Sequence, residues 1–494
     1  MTQRVQIPNP AFQQRHWDLN QEVLWLNGSD SLSLGDFCES CLVTGGIGSG
    51  KTTGAGTTVM RALLIHGAGM CCLAAKQDEY ARIYRLCSET GRLDDLVYFA
   101  PGERWRCDVL DVSLHGPGAS VEAAGQLIDI LIDTESRNRP QGNSDPFWRD
   151  FAGVTTRQAV TGVWLAHGHA SLSDVHRFIT SAPQSLDDVQ SDAWANRSYC
   201  AQSIAKAKKN VTTPEQLQTL RNCADYFMTE WPNLADKTRT SGQIVITTAL
   251  SKFLSGPLHN LLSSGETNLH PNVILDGKIV VLGMPPAIYH GPGRFFQVAY
   301  KTLFQRAALA RDIAVNSRPV VLWQDEVQNF LNPGLDLQFQ TMGRQSRLIT
   351  VSLGHSLPVL YAALGGSDHA KHEIDGWVAN HMLKVLHANS CHVTNEFFSN
   401  LFGKARKMLQ SGNMSHGEYD LCDDLLNMPS KTQLSSGWSE NWEPVVQPSD
   451  FTRLSKGGAL NRYRVEAFLH AGGKCFSNGQ TYLPVVFHQG NKHG

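Results

Sequence analysis

A glycine-rich segment near the N-terminus constrains the fold of this chain more than any other feature. Residues 45–52 read GGIGSGKT and fit the phosphate-binding pattern GxxxxGK[ST]. An apolar run, Cys41–Thr44, precedes the segment, and apolar residues at helical spacing follow it as far as His66. A strand, a glycine-rich loop and a helix in this order place backbone N–H groups and a helix N-terminus around phosphate oxygens. The sequence therefore predicts a nucleotide-binding loop.

The types of side chain in this loop predict how ATP and Mg²⁺ are held. We expect the Lys51 ammonium to contact the β- and γ-phosphate oxygens and the Thr52 hydroxyl to ligate Mg²⁺. The predicted nucleotide-binding residues are Gly45, Gly46, Ile47, Gly48, Ser49, Gly50, Lys51, Thr52 and Thr53.

An acidic pair after a second apolar run is predicted to complete the site. Residues 320–326 read VVLWQDE. Asp325 would hold the magnesium ion through water, and Glu326 would polarise the attacking water. Adjacent acidic residues in a loop are usually a solvated surface feature, but the buried-strand pattern before them favours the functional interpretation. An intact glutamate at this position predicts hydrolysis and not only nucleotide storage.

Three further candidates flank the next apolar run, at residues 349–353. His355 follows this run, where a polar side chain can sense the γ-phosphate. Arg344 and Arg347 precede it, where an arginine can reach the nucleotide of a neighbouring subunit. We take Arg344 as the candidate trans-acting residue. The alternative for both arginines is a surface salt bridge.

Alternating strand and helix patterns predict a parallel α/β sheet. Strand signals occur at 41–44, 70–74, 96–99, 273–275, 278–284, 320–323 and 349–352, and residues 482–487 read as an edge strand. Between 147 and 236 the pattern becomes helical. The sequence therefore predicts an N-terminal arm at 1–36, a nucleotide-binding domain at 37–146 and 237–494, and an all-α insertion at 147–236.

Composition excludes several other classes of protein. The chain has 43 basic and 45 acidic residues and a formal charge of -2, which does not indicate a protein that coats itself with nucleic acid. No run approaches the roughly 18 apolar residues that span a membrane, so we expect a cytoplasmic protein without direct membrane insertion. The 11 scattered cysteines indicate reduced thiols, and Cys38 and Cys41 form a lone CxxC without a second pair for zinc.

Taken in order along the chain, these segments resemble the FtsK/HerA superfamily of ring motors. More specifically, they resemble the TraD/TraG-type coupling ATPases of conjugation and type IV secretion. Residues 74–79 (AAKQDE) resemble the family's Asp-Pro-Lys-Gly-Glu segment. Phe147, Trp148 and Ala152 are similar to the start of the family's all-α domain, and residues 236–239 (DKTR) to its end. The resemblance implies a RecA-like P-loop NTPase domain with an inserted all-α domain.

The resemblance also implies a mechanism and partners. Six subunits would form a ring with ATP sites at their interfaces, with Lys51, Thr52, Asp325 and Glu326 acting in cis and Arg344 or a neighbouring arginine in trans. Hydrolysis would translocate DNA, and an adaptor, relaxase or nuclease could act as a partner. The chain departs from the family in having His355 in place of a glutamine, Ala74-Ala75 in place of Asp-Pro, and no N-terminal membrane helices. These departures suggest a soluble relative that a partner recruits to the membrane.

Two alternatives stay open at this point. The chain could couple protein substrates to a secretion channel, or it could be an ATP-gated scaffold in a DNA-processing or defence complex. A short basic cluster in the predicted insertion, Lys206, Lys208 and Lys209, does not decide between them, because its spacing favours a solvated helix face over a DNA contact.

Overall fold

The computed structural model describes residues 4–8, 17–116, 119–137, 146–416 and 432–490. The remainder of the predicted N-terminal arm, residues 1–3 and 9–16, lies outside the described residues. Within the arm, β1 (Glu22–Trp25) and β2 (Ser31–Ser33) form a small antiparallel sheet.

A nine-stranded sheet forms the core, in the order β13-β12-β9-β3-β8-β7-β4-β6-β5. The seven strands from β9 to β5 are parallel, and β12 and β13 add to the β9 edge in antiparallel orientation. Most of the parallel strands are buried along their whole length, which explains why they read as continuous apolar runs. The strands are β3 (Cys41–Thr44), β4 (Gly69–Leu73), β5 (Leu96–Phe99), β6 (Ile279–Leu282), β7 (Val320–Gln324), β8 (Leu348–Gly354), β9 (Leu383–His387), β12 (Arg464–Ala471) and β13 (Tyr482–His488).

Helices cover the sheet and form a large unit between β5 and β6. They are α1 (Leu34–Cys38), α2 (Thr57–Ile65), α3 (Glu79–Glu89), α4 (Val109–His115), α5 (Val121–Arg137), α6 (Pro146–His167), α7 (Leu172–Thr180), α8 (Leu186–Val189), α9 (Asp192–Arg197), α10 (Tyr199–Asn210), α11 (Pro214–Asp225), α12 (Trp231–Asn233), α13 (Asp236–Ser251), α14 (Gly256–Leu262), α15 (Pro286–Ala310), α16 (Pro333–Gly343), α17 (Leu357–Ala363), α18 (Asp368–Ala379), α19 (His392–Phe402) and α20 (Asp450–Arg453). No helix among these described segments is long and apolar enough to cross a membrane.

The predicted α/β class is confirmed, and one predicted strand is wrong. Residues 273–275 belong to or follow a 3-10 turn, Pro271–Ile274, because Gly277, with φ of 106°, reverses the chain just before β6. The predicted edge strand at 482–487 is confirmed as β13. The helical run between β5 and β6 extends on both sides of 147–236, and the domain limits stay a prediction.

A long two-stranded ribbon leaves the sheet domain after α19. Its strands are β10 (Lys404–His416) and β11 (Thr432–Pro444), which pair in antiparallel register from Lys404 opposite Pro444 to His416 opposite Thr432.

The order of the parallel strands determines where a site can form. The carboxyl ends of parallel strands lie along one edge of a sheet. Strand β3 lies between β8 and β9, and β7 lies between β8 and β4. The glycine-rich loop after β3, the acidic pair after β7, and the segments after β8 and β4 therefore converge at one edge.

Candidate nucleotide site

The glycine-rich loop after β3 has the backbone conformation that its sequence predicts. Gly48 and Gly50 have φ angles of 70° and 83°, which favour glycine. A Cβ on Gly50 would lie 2.8 Å from the Val465 side chain, so this position excludes any larger residue. The Gly46 amide donates to the Ala388 carbonyl at 2.8 Å, which attaches the loop to the end of β9.

Polar groups of the loop fit a bound phosphate. The Ser49 hydroxyl is buried and has no hydrogen-bond partner, as expected of a group that a ligand would satisfy. Thr53 is fixed from outside the loop, because the Gln489 amide donates to its hydroxyl at 2.6 Å. The helix after Lys51 begins with a π-helical turn, Thr52–Gly56, and continues as α2.

Lys51 is buried, and its Nζ lies 3.1 Å from His355 Nδ1. Burial lowers the pKa of Lys51, an effect that the nearby Glu326 and Asp325 carboxylates oppose. The ammonium is therefore poorly solvated and is held by a neutral ring nitrogen, a weak substitute for an anionic oxygen. Such a group gains free energy when it contacts phosphate.

The predicted metal ligands are adjacent in the structure. The Thr52 hydroxyl lies 3.2 Å from Asp325 Oδ2 and 3.5 Å from Oδ1. Asp325 is buried, and its Oδ1 also accepts the Glu326 amide at 2.9 Å. One hydroxyl and one carboxylate beside a phosphate site match the oxygen donors that Mg²⁺ takes in nucleotide sites, so these residues fit that ion.

Both cysteines of the lone CxxC lie in the interior. Cys38 and Cys41 are buried thiols, and burial raises the pKa of each to about 12. Among residues 4–8, 17–116, 119–137, 146–416 and 432–490, no group of three or more His, Cys, Asp and Glu side chains could hold a metal ion.

Glu326 occupies a strained backbone position with φ of 53° and ψ of 52°, a conformation that costs a non-glycine residue free energy. Hydrogen bonds hold it there on both sides. Its carbonyl accepts the Asn329 amide group at 3.0 Å, and its Oε2 accepts from His355 Nε2 at 2.7 Å and from Gln328 at 2.9 Å. The other carboxylate oxygen, Oε1, contacts Lys76 Nζ at 2.6 Å.

These contacts determine the protonation state of Glu326. Burial alone would raise the pKa of this carboxyl, but hydrogen bonds from His355, Lys76 and Gln328, together with the charge of Lys51, hold it well below its usual range. The carboxylate is therefore ionised at neutral pH. An ionised carboxylate that is buried beside a phosphate loop has the protonation state that a general base requires.

His355 connects the two halves of the site. Its Nδ1 faces Lys51 and its Nε2 faces Glu326, so the Lys51 donation to Nδ1 leaves the ring proton on Nε2 for the carboxylate. A phosphate that draws Lys51 away would free Nδ1. The position after β8 that was predicted to sense the γ-phosphate thus touches both Lys51 and Glu326.

Sequence reasoning missed a third group of residues, which lie in the segment after β4 and at the start of α3. Besides Lys76, this group includes Arg82, whose guanidinium lies 3.9 Å from Asp325 Oδ2 and pairs with Glu79. Burial raises the pKa of Glu79 to about 7. The only available signal was the resemblance of residues 74–79 to a family motif, and it carried no role.

The two candidate arginines lie in different environments. Arg347 donates to the carbonyls of Trp17 and Ser317, and its φ is 50°, so it holds the N-terminal segment in place. Arg344 follows the last residue of α16, its side chain is 64% exposed, and it pairs with Glu39 at 2.7 Å. This contact is the surface salt bridge that was the alternative for Arg344, and the role in trans stays a prediction.

Comparison with solved structures identifies the fold. Bacterial conjugative coupling protein TrwBdeltaN70, in complex with sulphate, aligns with a TM-score of 0.60 at 14% identity, over 93% of this chain and 88% of that chain. TrwB in complex with the ATP analogue ADPNP aligns with a TM-score of 0.59 at 13% identity, over 98% and 94%. TrwB in complex with ADP and Mg²⁺ aligns with a TM-score of 0.56 at 14% identity, over 92% and 86%.

No protein-family model matches the chain, and no curated protein matches it by sequence. At these identities the structural match shows the fold alone. The chain has the fold of TrwB, with a RecA-like P-loop domain and an all-α region, as the resemblance implied.

Proposed function

We propose that this protein is an ATP-hydrolysing ring motor of the kind that conjugative coupling proteins represent, and that its cargo is nucleic acid. One observation carries the proposal: in the fold of TrwB, Lys51, His355 and Glu326 form a continuous chain of contacts beside the Thr52–Asp325 pair. Nucleotide storage would not require Glu326 to be held ionised in a strained conformation next to the phosphate loop.

The residues divide the chemistry among them. The loop from Gly45 to Thr53 and the Lys51 ammonium bind the phosphates of ATP. Thr52 and Asp325 would hold Mg²⁺, which neutralises phosphate charge. Glu326 accepts a proton from water as the water oxygen bonds to the γ-phosphorus and the bond to the ADP oxygen breaks. His355 donates to Glu326 and, once Lys51 engages phosphate, can report its presence.

The trans half of the site is assigned to Arg344, in a hexameric ring. Arg344 is exposed and follows the helix before β8, from where it can reach a neighbouring subunit after leaving Glu39. An arginine finger contributes about 10³- to 10⁵-fold to the rate of phosphoryl transfer. An adaptor, relaxase or nuclease that docks on the ring would direct the motor to its cargo.

Steady-state ATP hydrolysis by the wild-type protein and by Glu326→Gln tests the catalytic part of the proposal. We expect the variant to bind ATP with unchanged affinity and to hydrolyse it at least about 100-fold more slowly. A variant that hydrolyses ATP at the wild-type rate would rule out Glu326 as the base. If the variant keeps full biological activity without hydrolysis, the protein is an ATP-gated scaffold instead.

The molecular mass of the protein, measured with and without an ATP analogue, tests whether a ring forms. Arg344→Ala should slow hydrolysis only in the assembled form.

The rate of ATP hydrolysis tests the cargo when it is measured with single-stranded DNA, with double-stranded DNA and without DNA. The alternative is a protein-substrate coupler, which a formal charge of -2 fits slightly better than it fits a DNA pump. A rate that neither DNA changes would therefore replace nucleic acid with protein as the cargo.

A further inference from the structure

Asn389, just after β9, carries a buried hydrogen-bond donor that has no acceptor. The residue is 7% exposed. Its side-chain oxygen accepts the Cys391 amide at 2.9 Å, and its Nδ2 nitrogen has no hydrogen-bond partner among the described residues. Exchanging the two side-chain atoms would leave the Cys391 amide facing another donor, so the contact determines the orientation of the Asn389 amide group. A buried polar group without a partner costs free energy until a ligand or a water satisfies it.

The backbone of Asn389 is held on both sides. Its amide donates to the Phe451 carbonyl at 3.3 Å, and its carbonyl accepts the side-chain amide of Asn395 at 2.9 Å. The side-chain oxygen is engaged by Cys391. Every other polar group of the residue therefore has a partner, and Nδ2 is the group that remains for a ligand.

Asn389 lies against the start of the glycine-rich loop. Strand β9 pairs with β3, which the loop follows, and the Ala388 carbonyl accepts the Gly46 amide at 2.8 Å. A Cβ on Gly46 would lie 3.9 Å from the Asn389 Cα, and a Cβ on Gly45 would lie 2.8 Å from the His387 Cβ. The absence of side chains at these two glycines lets the end of β9 approach the loop this closely. Asn389 therefore borders the loop that is predicted to hold phosphate.

The segment that carries Asn389 also meets the segment that carries His355, the residue predicted to sense the γ-phosphate. Helix α19 begins at His392, and the Thr394 hydroxyl in its first turn accepts the Leu357 amide at 3.0 Å. No side chain caps the start of α19, so its first N–H groups add positive potential beside Asn389. Strands β8 and β9 lie on the two sides of β3. Asn389 and His355 therefore approach the loop from opposite sides and at the same end.

We propose that Asn389 Nδ2 donates a hydrogen bond to an oxygen of the γ-phosphate and thereby gives the site a preference for ATP over ADP. This inference rests on the nucleotide site proposed above and adds to it a group that recognises the third phosphate from the β9 side. A phosphate oxygen is a charged acceptor, which makes such a bond stronger than one between neutral groups. The bond also removes the free-energy cost of the unpartnered donor. Asn389 binds the phosphate and neither gives nor takes a proton in the reaction.

The test measures the affinities for ADP and for a non-hydrolysable ATP analogue in the wild type and in Asn389→Ala. We expect the affinity of the variant for the ATP analogue to fall about 10- to 100-fold, the effect of losing a hydrogen bond to a charged group. Its affinity for ADP should stay close to the wild-type value, because ADP has no γ-phosphate. The ratio of the two affinities is the readout, since a variant that folds poorly would bind both nucleotides more weakly.

Asn389→Asp is the second variant, because it keeps the oxygen that accepts the Cys391 amide and replaces only the donor by an acceptor. It should lose at least as much affinity for the ATP analogue as Asn389→Ala, since a carboxylate oxygen repels phosphate. The proposal is overturned if both variants keep the wild-type ratio of affinities, or if both lose affinity for ADP and for the ATP analogue equally.

Asn395→Ala is the matched control. Asn395 is buried beside Asn389, but its side-chain nitrogen already has an acceptor, the Asn389 carbonyl. The control should keep the wild-type ratio of affinities. A ratio that falls as far as in Asn389→Ala would show that packing at the end of β9 sets the preference, and would overturn the role of Nδ2.

These measurements do not depend on hydrolysis, so they separate the inference from the proposed motor. A wild type that binds the ATP analogue but does not hydrolyse ATP would contradict the motor, and the ratio of affinities would still decide the role of Asn389. A wild type that binds neither nucleotide would contradict both.

Discussion

Two clusters of buried charged side chains lie at the end of β7. Gln324 belongs to one cluster, and Asp325, the next residue, belongs to the other. Gln324, the last residue of the strand, lies 3.5 Å from Lys301 Nζ. Asp325, the next residue, contacts Thr52 in the nucleotide site. Lys301 is fully buried and contacts Asp336 at 2.8 Å and the Phe330 carbonyl at 2.9 Å. Lys51, in contrast, contacts the ring of His355.

The difference between the clusters lies in whether the cation has its own anion. Lys301 has one carboxylate partner, Asp336, which also accepts the Asn332 amide at 3.1 Å, so the pair is complete. In the nucleotide site the carboxylates of Asp325 and Glu326 are engaged by other groups, and Lys51 is left with a neutral acceptor. A complete pair holds elements together, whereas an incompletely paired cation can still bind a ligand.

The largest effect is expected when the Lys301–Asp336 pair is broken. Lys301→Met should lower the free energy of unfolding by about 3–5 kcal/mol, because it leaves the Asp336 carboxylate buried without a cation. Urea denaturation followed by circular dichroism measures this. The double variant Lys301→Met/Asp336→Leu should recover most of the loss. A single variant as stable as the wild type would show that the two clusters do not differ as described.

Lys51→Met is the matched change in the incomplete cluster. Burial disfavours the Lys51 ammonium in the folded chain, so we expect no loss of stability in urea. Affinity for ATP should fall by about 10- to 100-fold, since a hydrogen bond to a charged group contributes about 1.5–3 kcal/mol. Titration with a fluorescent ATP analogue measures the affinity. Loss of stability with unchanged affinity would reverse the roles of the two lysines.

The parts of the nucleotide site that lie in short continuous segments could be predicted from the sequence. Gly45–Thr52 and Asp325-Glu326 follow apolar runs, and each pattern contains its own structural context. The Lys301–Asp336 pair and the contacts of Lys76 could not be predicted, since they join residues 35 and 250 positions apart. The strand expected at 273–275 was wrong because a three-residue apolar run does not distinguish a strand from a 3-10 turn.

The buried His381 tests the effect of burial on a side chain that is uncharged at neutral pH. Burial lowers the pKa of His381 to about 3, although its hydrogen bond to the Trp377 carbonyl opposes this. Below the ordinary value near 6.5 the unfolded chain takes up a proton that the native chain does not, so stability falls as pH decreases from 6.5 toward 3. At pH 5 the loss is about 2 kcal/mol.

Urea denaturation at pH 7 and pH 5 measures this dependence, and His381→Gln is the comparison variant. We expect the variant to lose about 2 kcal/mol less than the wild type between the two pH values. Equal losses would mean that the native protein opens to protonate His381.

The smallest effect is expected where charge is exposed. Lys206, Lys208 and Lys209 lie on the solvent side of α10, and Lys206 Nζ lies 3.1 Å from His167 Nδ1. Exposed charges change stability by less than about 0.5 kcal/mol, so replacing all three lysines by alanine should leave denaturation and the stimulation of ATP hydrolysis by DNA nearly unchanged. ATP hydrolysis measured with and without oligo(dT) at low salt gives the stimulation. A marked loss of stimulation would mean that α10 binds the cargo. An incompletely paired buried cation at the sheet edge would then not be the only kind of phosphate-binding site in this chain.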